Sequence, residues 1–172
     1  MIEKSTIQKV LDIFFDNPAK EFHLRELSRL LKFSMPTIVA STDILSREKL
    51  IIKTKGKVIT KVQADRENMN FIRFKRLHNL ENIYKSGVID YISNLYNHPK
   101  NIILFGSFSR GDDIEKSDID IAVFTKKKID LNMGKYEKIL RKHINLHEFD
   151  LNKISNEFKA SLTNGIVLEG SW

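Results

Sequence analysis

The sequence predicts a two-domain α+β/α/β chain, with a small helical domain closed by a hairpin at residues 1–64 and an α/β domain at residues 86–172. Three observations predict it. Apolar residues recur at helical spacing three times before Arg47, then give way to the β-branched stretch "LIIKTKGKVITKV" with Gly56 at its centre. A long helical segment follows, taken as a linker at residues 65–85. After Pro99, short apolar strand-like runs alternate with helical ones, which is the pattern of an α/β domain.

In order, "STIQKVLDIFFDN" places Ile7, Val10, Leu11 and Phe14 on one helical face, and Pro18 ends the run. "HLRELSRLL" repeats the pattern with Leu24, Leu27 and Leu31. Ser34 is an N-cap and Pro36 fits the first turn of a third helix, with Ile38 and Leu45 inward. The linker segment carries Phe71, Phe74, Leu77, Leu80 and Tyr84, a stripe that reads as core or as an oligomer seam. Ser86-Gly87 breaks it, and a further helix runs to about Asn97. The α/β domain then reads as strand 101–105, strand 119–125, helix 133–143, strand 144–149 and helix 154–162, followed by a short apolar run after Gly165.

Composition narrows the function classes. With no cysteine, disulfides, thiol catalysis and thiolate metal sites are excluded. No apolar run approaches the roughly 20 residues needed to span a bilayer, and the start lacks a signal-like apolar region, so a cytoplasmic protein without membrane partners is expected. The formal net charge of +7 favours polyanionic partners, although lysine-rich surfaces also serve solubility.

Three helices followed by a basic hairpin, "HLRELSRLLKFSMPTIVASTDILSREKLI" plus "KTKGK", resemble winged helix-turn-helix regulators. The resemblance implies double-stranded DNA as partner, contacted by Thr37 and Ser41 on the third helix and by Lys53, Lys55 and Lys57 on the wing. From Phe33 to Ser46 there is no lysine or arginine, so charge attraction falls to the wing. A winged helix kept for packing or dimerisation is the competing reading.

The chemistry concentrates in "LFGSFSRGDDIEKSDIDIAVF". Gly106 ends an apolar strand and lets backbone approach a ligand, and Ser107 adds a hydroxyl suited to phosphate oxygens. Strand alternation sends Asp118 and Asp120 to one face, where two like charges call for a hard cation. Asp112, Asp113 and Glu115 read as solvated loop residues. Gly106-Ser107, ten residues, then Asp118-x-Asp120 is similar to the polymerase beta-like nucleotidyltransferases, most of all to the minimal nucleotidyltransferases; Arg110-Gly111 and Ser117 match as well.

That resemblance implies a mixed sheet with flanking helices and two Mg²⁺ ions held by Asp118 and Asp120. It further implies an NTP, with ATP favoured, bound through Gly106, Ser107 and Arg110, and transfer of AMP to a hydroxyl acceptor. Arg110 has a competing partner in Asp112 or Asp113. The acceptor could lie on a toxin-like protein, which would make this chain antitoxin-like. The resemblance also implies a third carboxylate from a neighbouring strand. In "INLHEFD" the candidates are Glu148 and Asp150, with Glu148 taken as catalytic because it lies inside the strand; His147 is an alternative base. Glu148 shares the parity of Ile144 and Leu146, and burial of that face would turn it away from the pair. Without a third acid, the alternative is a DNA-binding transcriptional regulator with a non-catalytic nucleotide-binding domain.

Overall fold

The computed structural model describes residues 4–56, 59–150 and 154–171. Lys57, assigned to the wing, lies outside the described residues. The chain divides into two compact units, Met1–Lys75 and Arg76–Trp172.

In the first unit, α1 (Thr6–Asp16) starts where the Ser5 hydroxyl accepts from the Gln8 amide at 3.3 Å. A two-residue strand, β1 (Phe22–His23), leads into α2 (Leu24–Leu31), which ends at Lys32 in the left-handed region (φ +56°). Ser34 caps α3 (Met35–Arg47), and Pro36 sits in its first turn. The strands β2 (Ile51–Lys55) and β3 (Thr60–Ala64) pair antiparallel, with Ile51 opposite Ala64, and β1 adds to the other side of β3. β1 is too short to leave an alternation signal in the sequence. Phe14 packs edge-on against Phe22, with centroids 5.7 Å apart, inside a core that includes Val10, Leu27, Ile38, Leu45 and Val62. A fully buried phenylalanine of this kind contributes on the order of 2 kcal/mol.

Two of the expected DNA contacts, Ser41 and Lys53, do not face solvent. Ser41 is only 4% exposed, because the inward face of α3 recurs at Ile38, Ser41, Thr42 and Leu45. The Lys53 side chain is 9% exposed, with its ammonium 2.6 Å from Asp43 and 3.2 Å from the Thr42 hydroxyl. Lys53 shares strand parity with the buried Ile51, which turns it toward α3 rather than solvent. The hydrogen bond from Lys53 holds the Asp43 carboxyl below its ordinary range. Thr37 is half-buried and shares a 2.7 Å hydroxyl hydrogen bond with Ser34, while Lys55 is exposed.

The boundary between the units falls within α4 (Met69–Ser86), at whose start the Asn68 side chain accepts from the Asn70 amide at 2.8 Å. Gly87 (φ +76°) separates α4 from α5 (Val88–Leu95). Then come β4 (Asn101–Phe105), α6 (Gly106–Arg110), β5 (Ile119–Phe124), α7 (Gly134–Leu140), β6 (Ile144–Phe149), α8 (Asn156–Thr163) and β7 (Ile166–Gly170). The sheet runs β6-β5-β4-β7 and is mixed: β5 and β6 are parallel, while β4 is antiparallel to both β5 and β7. The short apolar run after Gly165 is the edge strand β7.

Strand alternation sorts this unit into two apolar layers. Ile102, Leu104, Ile119, Ile121, Val123 and Ile144 pack with Val88, Ile89 and Ile92 of α5. Ile103, Phe105, Ala122 and Phe149 form the opposite layer with Phe158 and Leu162 of α8. Among the described residues, no helix is long and apolar enough to cross a membrane.

Candidate active site

β4 is buried along its whole length and delivers the chain to Gly106, whose φ is +75°. A Cβ at this position would collide with the Asp120 carboxylate. The backbone therefore favours glycine, and any Cβ would displace the Asp120 carboxylate. The next turn, α6, is fastened by the Ser109 hydroxyl donating to the Gly106 carbonyl at 2.8 Å, and it leaves Ser107 half-buried. Gly111 (φ +83°) then reverses the chain, its amide donating to the Ser107 carbonyl at 3.0 Å.

Phe105 pairs with Asp120 across β4 and β5, so the glycine-serine turn and the acidic pair meet at one end of the same strand pair. Asp118 is exposed and Asp120 is half-buried. The Asn145 side-chain amide donates to both, at 3.2 Å to each carboxylate. One amide between two like charges places both acids on a single face, as alternation requires. His147 lies on that face too, with Nε2 3.7 Å from Asp120 and its ring against Phe105 and Phe158. Nε2 is buried and makes no hydrogen bond among the described residues.

Glu148 does not face the acidic pair, which corrects its assignment as the third acid. β5 and β6 run in unbroken parallel register, with Asp120 beside Asn145, Ala122 beside His147 and Val123 beside Glu148. Neighbours in register share a face, so Glu148 points to the same layer as Val123. There its carboxylate accepts from the Tyr96 hydroxyl and, at 2.8 Å, from the Ile129 amide. Burial, and then this carboxylate, push the Tyr96 phenol upward. Asp150 shares the parity of Glu148 and lies about 16 Å along the strand direction from Asn145, at 3.3 Å per residue. Neither acid completes the pair; the position beside Asp120 belongs to Asn145. Glu148→Gln is expected to lower stability by about 1–2 kcal/mol, the worth of a charge-assisted hydrogen bond. Thermal unfolding reads that loss, and a titration with Mg²⁺-ATP is expected to match wild type.

The remaining sequence-derived residues divide. Arg110 is exposed, and its Nε donates to Asp112 at 3.0 Å. A surface pair of this kind is worth at most about 1 kcal/mol, so Arg110 is released at little cost to an incoming anion. Asp113 is not a solvated loop residue but is 2% exposed.

Among the described residues, no three His, Cys, Asp or Glu side chains are grouped to hold a metal ion. The donor set is two carboxylates beside an amide. That suits a hard cation which takes its other oxygens from phosphate and water, and it falls short of a protein-only cage.

At the end of β4, then, a glycine-serine turn packs against paired aspartates on the next strand of a mixed sheet. Residues 87–171 match the family model for the polymerase beta nucleotidyltransferase domain, which places this domain in the polymerase beta-like nucleotidyltransferase superfamily. No curated protein matches the chain.

Proposed function

We propose that the C-terminal domain binds a Mg²⁺-complexed nucleoside triphosphate, ATP being favoured, and moves the nucleoside monophosphate to a hydroxyl acceptor. The observation that carries this reading is the packing of Gly106 against Asp120, which makes the phosphate turn and the acidic pair one continuous surface. Ser107 and the adjacent backbone amides would take terminal phosphate oxygens, and Arg110, released from Asp112, would take another. Asp118 and Asp120 would hold the cation, which supplies charge neutralisation at the phosphates. The acceptor oxygen would bond to the α-phosphorus as the bond to pyrophosphate breaks, and the hydroxyl proton would pass to water. Asn145 offers no negative charge to assist that oxygen, so slow transfer is the consequence.

The same asparagine favours a second reading, in which the domain binds nucleotide without transferring it. For the first unit we read a winged helix-turn-helix, supported by its helix–strand–helix–helix–hairpin order. With Ser41 and Lys53 buried, its outward assignments reduce to Thr37 and Lys55 among the described residues. A toxin-like protein hydroxyl remains the proposed acceptor.

The test is incubation with labelled ATP, GTP, CTP or UTP, Mg²⁺ and candidate acceptors, with an equilibrium binding measurement alongside. Wild type is expected to bind and to transfer slowly, and Asp118→Asn/Asp120→Asn to do neither. Binding without transfer selects the second reading. Equal Mg²⁺-dependent binding by wild type and the double variant would sink both.

A further inference from the structure

We infer that Lys142, Asp113 and Asn79 are positioning residues that set the phosphate turn and the acidic pair at their working separation. The inference rests on the reading of that site as a metal–nucleotide site.

The ten residues between Ser107 and Asp118 do not trail through solvent. They are fastened from behind by a lysine that arrives from a distant part of the chain, just before β6. The Lys142 side chain is 11% exposed, and that of Asp113 is 1% exposed. The Lys142 ammonium donates to the Ile114 carbonyl at 2.5 Å and to the Ser117 carbonyl at 3.2 Å, and lies 3.3 Å from the Asp113 carboxylate. Asp113 in turn accepts from the Asn79 amide at 2.7 Å. The same Asn79 nitrogen donates to the Phe108 carbonyl, inside α6, at 2.9 Å. The Ser117 side chain closes the loop on itself by accepting from the Ile114 amide at 3.0 Å.

Three pieces of the site therefore meet in one network. Asn79 holds α6, which carries Ser107. Lys142 holds Ile114 and Ser117, the residues leading directly into Asp118. Three residues beyond Lys142 stands Asn145, which bridges Asp118 and Asp120. A buried ion pair is a poor way to gain stability, because desolvation offsets most of its attraction. Its directional bonds do fix geometry. The residues gripped are those whose spacing decides whether one triphosphate can touch both the turn and the acids.

The test uses the full-length chain carrying Lys142→Met with Asp113→Asn, which removes both charges together and leaves an acceptor for Asn79. Thermal unfolding checks that this double variant folds. Amide hydrogen exchange across residues 112–120 in nucleotide-free protein reads the pinning directly. Titration with Mg²⁺-ATP reads its consequence. Exchange at least tenfold faster in this segment alone, with affinity at least tenfold weaker, is expected; Lys142→Arg, which keeps the charge, is expected to recover part of both. Wild-type exchange in the folded double variant overturns the inference, as does unchanged affinity. If wild type itself shows no Mg²⁺-ATP binding, the functional reading falls, and the exchange measurement still decides whether the loop is pinned.

Discussion

Asn145→Asp is expected to raise Mg²⁺-dependent nucleotidyl transfer by at least about tenfold, while making the metal-free protein less stable. Both effects follow from the register that seats Asn145 beside Asp120. In the present chain the Asn145 amide donates to Asp118 and Asp120, offsetting the repulsion between them. The substitution removes those bonds and adds a third negative charge, for a loss of roughly 1–3 kcal/mol without metal. With Mg²⁺ bound, the added carboxylate would serve as a ligand, and binding linkage would recover the loss. Thermal midpoints in chelator and in Mg²⁺, with transfer rates from labelled ATP, measure all of this. Equal midpoints in chelator, or a transfer rate no higher than wild type, would contradict the placement of Asn145.

The difference between what was legible and what was not has a physical basis in range. Gly106, Ser107, Asp118 and Asp120 were readable because a turn and a strand parity are local properties of one short stretch. The third position was not, because it depends on how β6 slides against β5. A search for acids finds Glu148 and Asp150, whereas the register selects Asn145, which carries no charge to draw attention. The parity of "INLHEFD" did contain the warning, since Glu148 follows Ile144 and Leu146 to the core side. Ser41 could have been placed from sequence, because the period that buries Ile38 and Leu45 also buries it. Lys53 likewise shares parity with Ile51. Asp113 could not, since its partners Asn79 and Lys142 come from distant segments and nothing nearby marks it as buried. β1 and β7 were beyond reach for a related reason: each is an edge addition whose existence depends on a partner strand already in place.

Gly106→Ala is expected to cut Mg²⁺-ATP affinity at least tenfold and any transfer by about a hundredfold, since a displacement near 1 Å at a reacting centre has effects of that size. Two causes act together and can be separated. The first is backbone strain, because a φ of +75° disfavours any residue with a Cβ by roughly 1–2 kcal/mol. The second is the collision with the Asp120 carboxylate, which forces either the turn or that carboxylate to move. Gly87 supplies the control. Its φ of +76° imposes the same strain, but a Cβ there meets nothing within 4 Å. Gly87→Ala is therefore expected to lose a comparable amount of stability and keep wild-type nucleotide binding. If both alanine variants bind Mg²⁺-ATP like wild type, the close approach of turn and carboxylate has no functional weight. If both lose binding equally, global strain explains the loss. Loss confined to Gly106→Ala ties function to the contact between the glycine-serine turn and Asp120, the one place where phosphate and metal would be held against each other.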